Sequence, residues 1–270
     1  MKAGYHELRD LEDRVVLITG ASSGLGEQIA YQAAKKGAIV VAAARNISKL
    51  REVAKACSEF RGKKALAVSL DVANPTRIEK VIDQIKHQVG AIDVLINDAG
   101  FGLMQSALDF DMTVAEKMFR VNVLGLMYLT KYTAVQMAKQ RRGAIINIAS
   151  VAGKIATPKS SVYSATKAAV IAYSNALRLE VKPLGISVMT VNPGPIRTNF
   201  FEKADKTGDY LSKVNGIVLN PELVAEKIIN AIGTAKRELT LPHFFKAAEI
   251  GYTIFPKLGD FLTANVFNKK

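Results

Sequence analysis

Tyr163 and Lys167 stand four residues apart in a stretch with helical periodicity, so their side chains fall on one helix face. An ammonium one turn from a phenol favours the phenolate and brings the tyrosine proton into working range. Such a pair can give a proton to a carbonyl oxygen or take one from an alcohol. Ser150, at the end of an apolar run, can donate a hydrogen bond to that oxygen as negative charge develops. Asn122, in the preceding long helix, can hold a water. Each residue also has a plainer reading: the Tyr/Lys pair as solvated surface, the serine as a cap.

A second constellation lies upstream. Gly20, Ser22, Ser23, Gly24, Leu25 and Gly26 form a turn between a predicted strand and a predicted helix. Glycines there let the backbone bend sharply and approach a pyrophosphate, while the helix end offers free N–H groups to its charge. The same turn could be purely structural. Sites that prefer NAD place an acidic residue about 20 positions on, against the ribose 2′-hydroxyl. Here the second strand ends Ala42-Ala43-Ala44-Arg45-Asn46, without an acid. Arg45 can pair with a 2′-phosphate, so NADP(H) is the expected cofactor, unless Arg45 is only solvated surface. Asp71, with Val72 after it, is expected near the adenine, although an aspartate there also suits a turn.

The elements that must position these groups alternate apolar runs with helix-period segments, the pattern of a parallel sheet covered on both faces. Strands are predicted at Val15–Ile18, Ile39–Ala43, Ala65–Leu70, Ile92–Ile96, Ala144–Ile148 and Ile186–Val191, with a short one at Leu239–Leu241. Helices are predicted from Glu27 to Lys36, from a Ser48 cap to Lys55, from Asn74-Pro75 through Val89, from a Thr113/Glu116 capping box to Gln140, from Val162 to Val181, and from Asn220-Pro221 to Ile232. The expected fold class is α/β: a single doubly wound parallel sheet, Rossmann-type, with helices on both faces. No composition break divides the chain, so residues 1–270 are expected to form one dinucleotide-binding and catalytic domain, with 200–217 a candidate substrate lid.

Taken in order, Thr19-Gly20-x-x-x-Gly24-x-Gly26, Asn97-Asp98-Ala99-Gly100, Asn122, Ser150, Tyr163-x-x-x-Lys167 and Pro193-Gly194 resemble the short-chain dehydrogenase/reductase family. The resemblance runs from about Val15 to Val191, and more loosely to Ile232. It implies a nicotinamide-dependent oxidoreductase working between carbonyl and alcohol. It implies Tyr163 as acid/base and Lys167 as the ribose-binding residue that tunes it. Ser150 would orient substrate and Asn122 would support a water-linked proton relay. Asn97, Ala99 and Gly100 would border the cofactor, with Pro193, Gly194, Ile196 and Thr198 flanking the nicotinamide. The family commonly assembles as homodimers or homotetramers through its two long helices. One position departs: the family usually has Asn where this chain has Asp98, which puts loop rigidity or cofactor affinity in question.

Composition narrows the classes further. Of 270 residues, 49% are apolar and 23% charged, which supports a buried core. The single cysteine, Cys57, excludes an intramolecular disulfide framework, and three scattered histidines make a metal site unexpected. No apolar signal core follows Met1 and no run suffices to span a bilayer, so a cytoplasmic protein is expected. Lys and Arg exceed Asp and Glu by 37 to 24, but the basic clusters are dispersed and lack interleaved aromatics, against nucleic acid as a partner. The segment 241–270 is apolar and punctuated by Lys246, Lys257, Lys269 and Lys270. It suits peripheral contact with anionic membrane, a lid or subunit contact, or packing on its own domain. Phe101, Leu103, Met104, Val151, Phe200, Phe201 and Tyr210 are candidate pocket residues that favour an apolar carbonyl or alcohol substrate. A nucleotide-binding regulatory protein or a membrane-associated protein without turnover is the alternative function.

Overall fold

A computed structural model describes residues 4–205 and 215–267. Among them seven strands form one fully parallel sheet: β1 (Val15–Thr19), β2 (Ile39–Ala44), β3 (Leu66–Ser69), β4 (Val94–Asn97), β5 (Gly143–Ile148), β6 (Ile186–Pro193) and β7 (Glu238–Leu241). Their order is β3-β2-β1-β4-β5-β6-β7. The chain starts in the middle at β1, winds outward to β3, then returns past β1 to build the other half. This is the expected doubly wound architecture, and the order reverses between β1 and β4. A crevice opens at such a reversal, beyond the carboxyl ends of the strands.

The crossovers are α1 (Gly24–Lys35), α2 (Ile47–Arg61), α3 (Pro75–Val89), α4 (Met112–Phe119), α5 (Leu126–Gln140) and α6 (Ser161–Val181). A five-residue α7 (Phe200–Ala204) and α8 (Pro221–Ala231) follow, and α9 (Phe244–Ile254) and α10 (Pro256–Phe267) come after the last strand. Alternating strand residues feed two cores. Val16 and Ile18 of β1 pack with Ile29, Leu50, Val53 and Ile228 on one side of the sheet. Val15 and Leu17 pack with Ile78, Ile82, Leu129 and Leu177 on the other. Burial on both faces explains why the strands are continuous apolar runs rather than alternating ones. Cys57 lies in the first core, where burial pushes its thiol up to about 12.

Helix α1 opens at Gly24 rather than Glu27, and two helix caps differ from expectation. Asn46, not Ser48, caps α2 by accepting from the Lys49 N–H, and α2 runs past Lys55 to Arg61. Asp111, not Thr113, caps α4 by accepting from the Thr113 N–H. In both cases an earlier side-chain acceptor reaches the first free donors, and capping favours such short Asx geometry. The helix expected to run unbroken to Gln140 contains a π turn at Arg120–Gly125. A turn at Gly4–Arg9, unforeseen from the sequence, sits under the sheet, with Leu8 fully buried and the Tyr5 N–H donated to Gly185.

The amino ends of three strands are stitched by one carboxylate. Asp93 accepts from the Val15 N–H at 3.1 Å and from Arg142 Nη2 at 2.9 Å. Removing it takes the acceptor from the buried Val15 amide and leaves Arg142 only its bond to Glu7 at 3.2 Å. Asp93→Ala is expected to lower unfolding free energy by about 2–4 kcal/mol. Urea titration checks this, and an unchanged midpoint contradicts it.

Candidate active site

The crevice at the carboxyl edge of the sheet has a volume of about 990 Å³. One end is lined by the Gly20–Leu25 turn, Arg45, Asn46, Lys49, Asp71 and Val72, the other by Ser150, Tyr163, Lys167, Pro193, Gly194 and Phe200. Two constellations distant in sequence therefore share one cavity.

The glycine turn is built as its sequence demands. Gly20 and Gly24 have φ of +74° and +63°, the left-handed region that side chains disfavour. A Cβ on Gly26 would lie 2.7 Å from the Gly20 carbonyl oxygen and 2.8 Å from Asp98 Oδ2, so only glycine fits. Helix α1 opens without a side-chain cap: Ser23 makes no capping hydrogen bond, although its type favours one. Gly24 and Leu25 line the crevice at the positive end of the helix dipole, while the Gly26 N–H is taken by Asp98. That is a donor set suited to an anionic diphosphate, with Arg45 and Lys49 beyond it for a further anionic group. The cavity and its donors fit a dinucleotide.

The loop after β4 is clamped from below. Thr19 Oγ1 accepts from the N–H groups of Asp98 and Ala99, each at 3.2 Å. Asn97 is buried and does not line the cavity. Its Nδ2 donates to Asn147 Oδ1 at 2.9 Å and Thr130 Oγ1 at 3.2 Å, and Asn147 Nδ2 donates on to Ser174 at 2.8 Å. This polar chain ties β4, β5, α5 and α6 together. Ala99 and Gly100 line the crevice above it. Loop rigidity thus rests on Thr19 and Asn97, and the Asp98 carboxylate instead accepts the N–H of Gly26 at the start of α1.

Asn122 sits on the π turn, whose extra residue turns it toward the loop. Its Oδ1 accepts from the Phe101 N–H at 3.0 Å, and its Nδ2 donates to the Phe101 carbonyl at 2.8 Å and to Thr166 Oγ1 at 3.1 Å. Both amide hydrogens are engaged, and the residue does not line the crevice. What it visibly does is brace the loop that follows Gly100 against α6.

Ser150 accepts from the Ala152 N–H at 3.1 Å, so it is a cap as well as a wall of the cavity, and its hydroxyl donates to the Pro193 carbonyl at 3.4 Å. Lys167 is only 7% exposed; its Nζ donates to the Ile148 carbonyl at 2.8 Å and lies 5.7 Å from the centre of the Tyr163 ring. Burial pushes the Lys167 ammonium down to about 8, against the opposing pull of Asp98. Burial likewise raises the Asp98 carboxyl to about 7, with Lys167 and the Gly26 N–H acting the other way. Ile196 and Thr198 line the cavity, and a Cβ on Gly24 would lie 3.3 Å from the Thr198 side chain.

Among the expected pocket residues, Phe101, Met104, Val151, Phe200 and Phe201 line the crevice. Leu103 packs instead in the small core around Phe110, Met118 and Tyr163. Phe200 meets Tyr163 with ring centres 5.7 Å apart. Of the lid segment, α7 and the turn at Asn215–Ile217 are visible; Tyr210 lies outside the described residues. The sequence reading missed Thr19, Asn46 and Lys49. Thr19 was legible as the hydroxyl that opens the glycine motif, and Lys49 as a cation one turn into the helix after Arg45.

The family described as short chain dehydrogenase matches residues 14–209. The chain is 36% identical over 241 residues to dehydrogenase/reductase SDR family member 7B of Xenopus tropicalis, covering 85% of this chain and 77% of the relative. It is 35% identical over 228 residues to an NADP-dependent 3-hydroxy acid dehydrogenase of Schizosaccharomyces pombe, covering 82% and 88%. A short-chain dehydrogenase from Sphingobium yanoikuyae, solved in complex with NADPH, superposes with a TM-score of 0.78 at 28% identity, covering 91% of this chain and 94% of that one.

The Asp98 carboxyl holds its proton more tightly in the fold than at its ordinary value of 3.8. A group with a raised folded pKa loses stabilisation as pH rises between the two values. Asp98→Asn is therefore expected to match wild type near pH 4 and to gain stability over it progressively up to about pH 7. Urea unfolding of the ligand-free protein across that range checks the sign; a pH-independent difference contradicts it.

Proposed function

We propose a reaction for this chain from one premise: it belongs to the short-chain dehydrogenase/reductase family. Such enzymes are oxidoreductases acting at CH–OH and C=O groups. The finer reading is an NADP(H)-dependent enzyme that reduces a carbonyl to an alcohol, or runs the reverse, on an apolar or lipid-like small molecule. The observation that carries it is the buried Lys167 ammonium beside the Tyr163 ring, in one cavity with the open end of α1.

In this reading the residues of the Gly20–Gly26 turn hold the diphosphate, and Asp71 and Val72 border the adenine. Arg45, with Lys49 one turn on, takes the 2′-phosphate. The S. pombe relative's name and the NADPH-bound neighbour point the same way. Ala99 and Gly100 shape the floor, with Asn97 bracing it from beneath; Pro193, Gly194, Ile196 and Thr198 flank the nicotinamide. Bound NADPH supplies a hydride to the carbonyl carbon. Ser150 donates to the carbonyl oxygen, and Tyr163 gives that oxygen its proton. The Lys167 charge stabilises the phenolate left behind. Asn122 keeps the Phe101 loop and α6 in register and supports the route by which a proton returns. Phe101, Met104 and Phe200 exclude water and favour an apolar substrate.

The same reading has one domain, a substrate-covering segment at 200–217, and assembly as a homodimer or homotetramer. The exposed Phe119, Leu124, Tyr128 and Leu179 on the long helices support a subunit contact. Among the described residues no helix is long and apolar enough to cross a membrane.

Tyr163→Phe is expected to lower kcat by about 10²–10⁴-fold. NADPH affinity should stay near wild type, read by cofactor fluorescence; near-normal turnover across a carbonyl panel overturns the assignment. Arg45→Ala is expected to weaken NADPH about tenfold or more and leave NADH nearly unaffected. An NADH preference in the wild-type protein overturns the cofactor reading.

A further inference from the structure

The end of α1 that suits an anionic diphosphate already meets a carboxyl group of the chain itself. Asp98 accepts the Gly26 N–H, and its Oδ2 lies 2.8 Å from where a Gly26 Cβ would stand. The residue also lines the crevice. It has little freedom to move aside. Thr19 Oγ1 accepts the Asp98 N–H at 3.2 Å, and a Cβ on Gly20 would lie 2.9 Å from the Ala99 nitrogen and 3.1 Å from the Asp98 carbonyl carbon. The glycine turn and the Asp98 loop are therefore in contact, so an anion cradled by the first comes close to the second. Two negative groups would then share one helix end, and like charges so placed disfavour each other's ionised form.

The cations of the crevice leave this conflict standing. Lys167 of α6 pulls on Asp98, but its Nζ is engaged by the Ile148 carbonyl at 2.8 Å. It lies 3.8 Å from where a Gly100 Cβ would stand, on the far side of the loop from α1. Arg45 and Lys49 line the dinucleotide end together with Asp71, and Lys159, Tyr163 and Asp205 line the crevice as well. None of these is the group that shares the Gly26 N–H with an arriving anion.

We propose that Asp98 takes up a proton from solvent when a dinucleotide diphosphate binds at the α1 end, so that cofactor binding and protonation of this residue are one linked event. The carboxylate gains a proton, and no other covalent bond is made or broken. A neutral acid still accepts the Gly26 N–H through its carbonyl oxygen, so the helix start keeps its partner while the repulsion disappears. Burial already lifts this carboxyl to about 7, so near neutral pH an ionised fraction exists to be protonated. A second negative charge raises its proton affinity by a further tenfold or so. By linkage, binding is then favoured as pH falls through neutrality and levels off where the free protein is already protonated. Asp98 plays this part only if the crevice holds the dinucleotide proposed above; no step of the carbonyl chemistry is required.

Infrared difference spectroscopy of the full-length protein, with and without saturating NADPH, reads the carboxyl directly. Subtracting the same spectrum of Asp98→Asn cancels the bands of the cofactor. Near neutral pH the expected result is a gained protonated-carboxyl band with a matching loss of carboxylate, amounting to about half of one residue and absent from the variant. At about pH 5 the change should vanish, because the free protein already carries the proton. Urea unfolding shows that the variant folds, and the wild-type band with its disappearance in acid tests the linkage even without the variant. Cofactor fluorescence on the same samples reports binding separately. NADPH binding without the band overturns this inference alone, as does a band that persists in Asp98→Asn or is unchanged at about pH 5. Failure of NADPH to bind overturns the cofactor reading and the linkage together.

Discussion

A lysine ammonium buried at the carboxyl end of a parallel sheet is costly, and much of this structure answers that cost. Lys167 keeps a bond to the Ile148 carbonyl at the end of β5 and feels the Asp98 carboxyl, which follows the neighbouring β4. The second contact requires β4 and β5 to end level. The chain from Asn97 through Asn147 to Ser174 holds them so, beneath the site, and Thr19 holds the β4 loop to β1. The two halves of the crevice are therefore one mechanical unit. Displacing the loop after β4 moves both the Gly26 contact and the Lys167 environment.

Asp98 belongs to both halves. It accepts from the α1 backbone, where the helix end is electropositive, and it pulls on a lysine that serves the other end of the cavity. An asparagine there would keep the first contact and drop the second. The carboxylate gives this chain an electrostatic link between the two ends that an amide cannot supply.

Much of this was readable from sequence because the physics is local or repetitive. Strands buried on both faces must be apolar throughout, so β1, β2, β4, β5 and β6 stood out, and the helices between them left parallel pairing as the simplest arrangement. Gly20, Gly24 and Gly26 were legible because their backbone geometry excludes other residues. The π turn was not legible: its extra residue leaves the apolar pattern nearly intact. Its tight contact is with Val72, where a Cβ on Gly125 would lie 2.6 Å from the carbonyl oxygen. The caps at Asn46 and Asp111 were displaced by two residues because several polar side chains compete for the same donors.

The lone thiol has a use beyond packing. Cys57 is enclosed by α2 and the sheet, and its proton is held far above neutral pH, so almost no thiolate exists to react. Maleimides and mild oxidants should pass the native protein by. A cysteine introduced anywhere on the surface would then be the sole attachment point for a fluorophore or spin label, with no background to subtract and no parent residue to delete first.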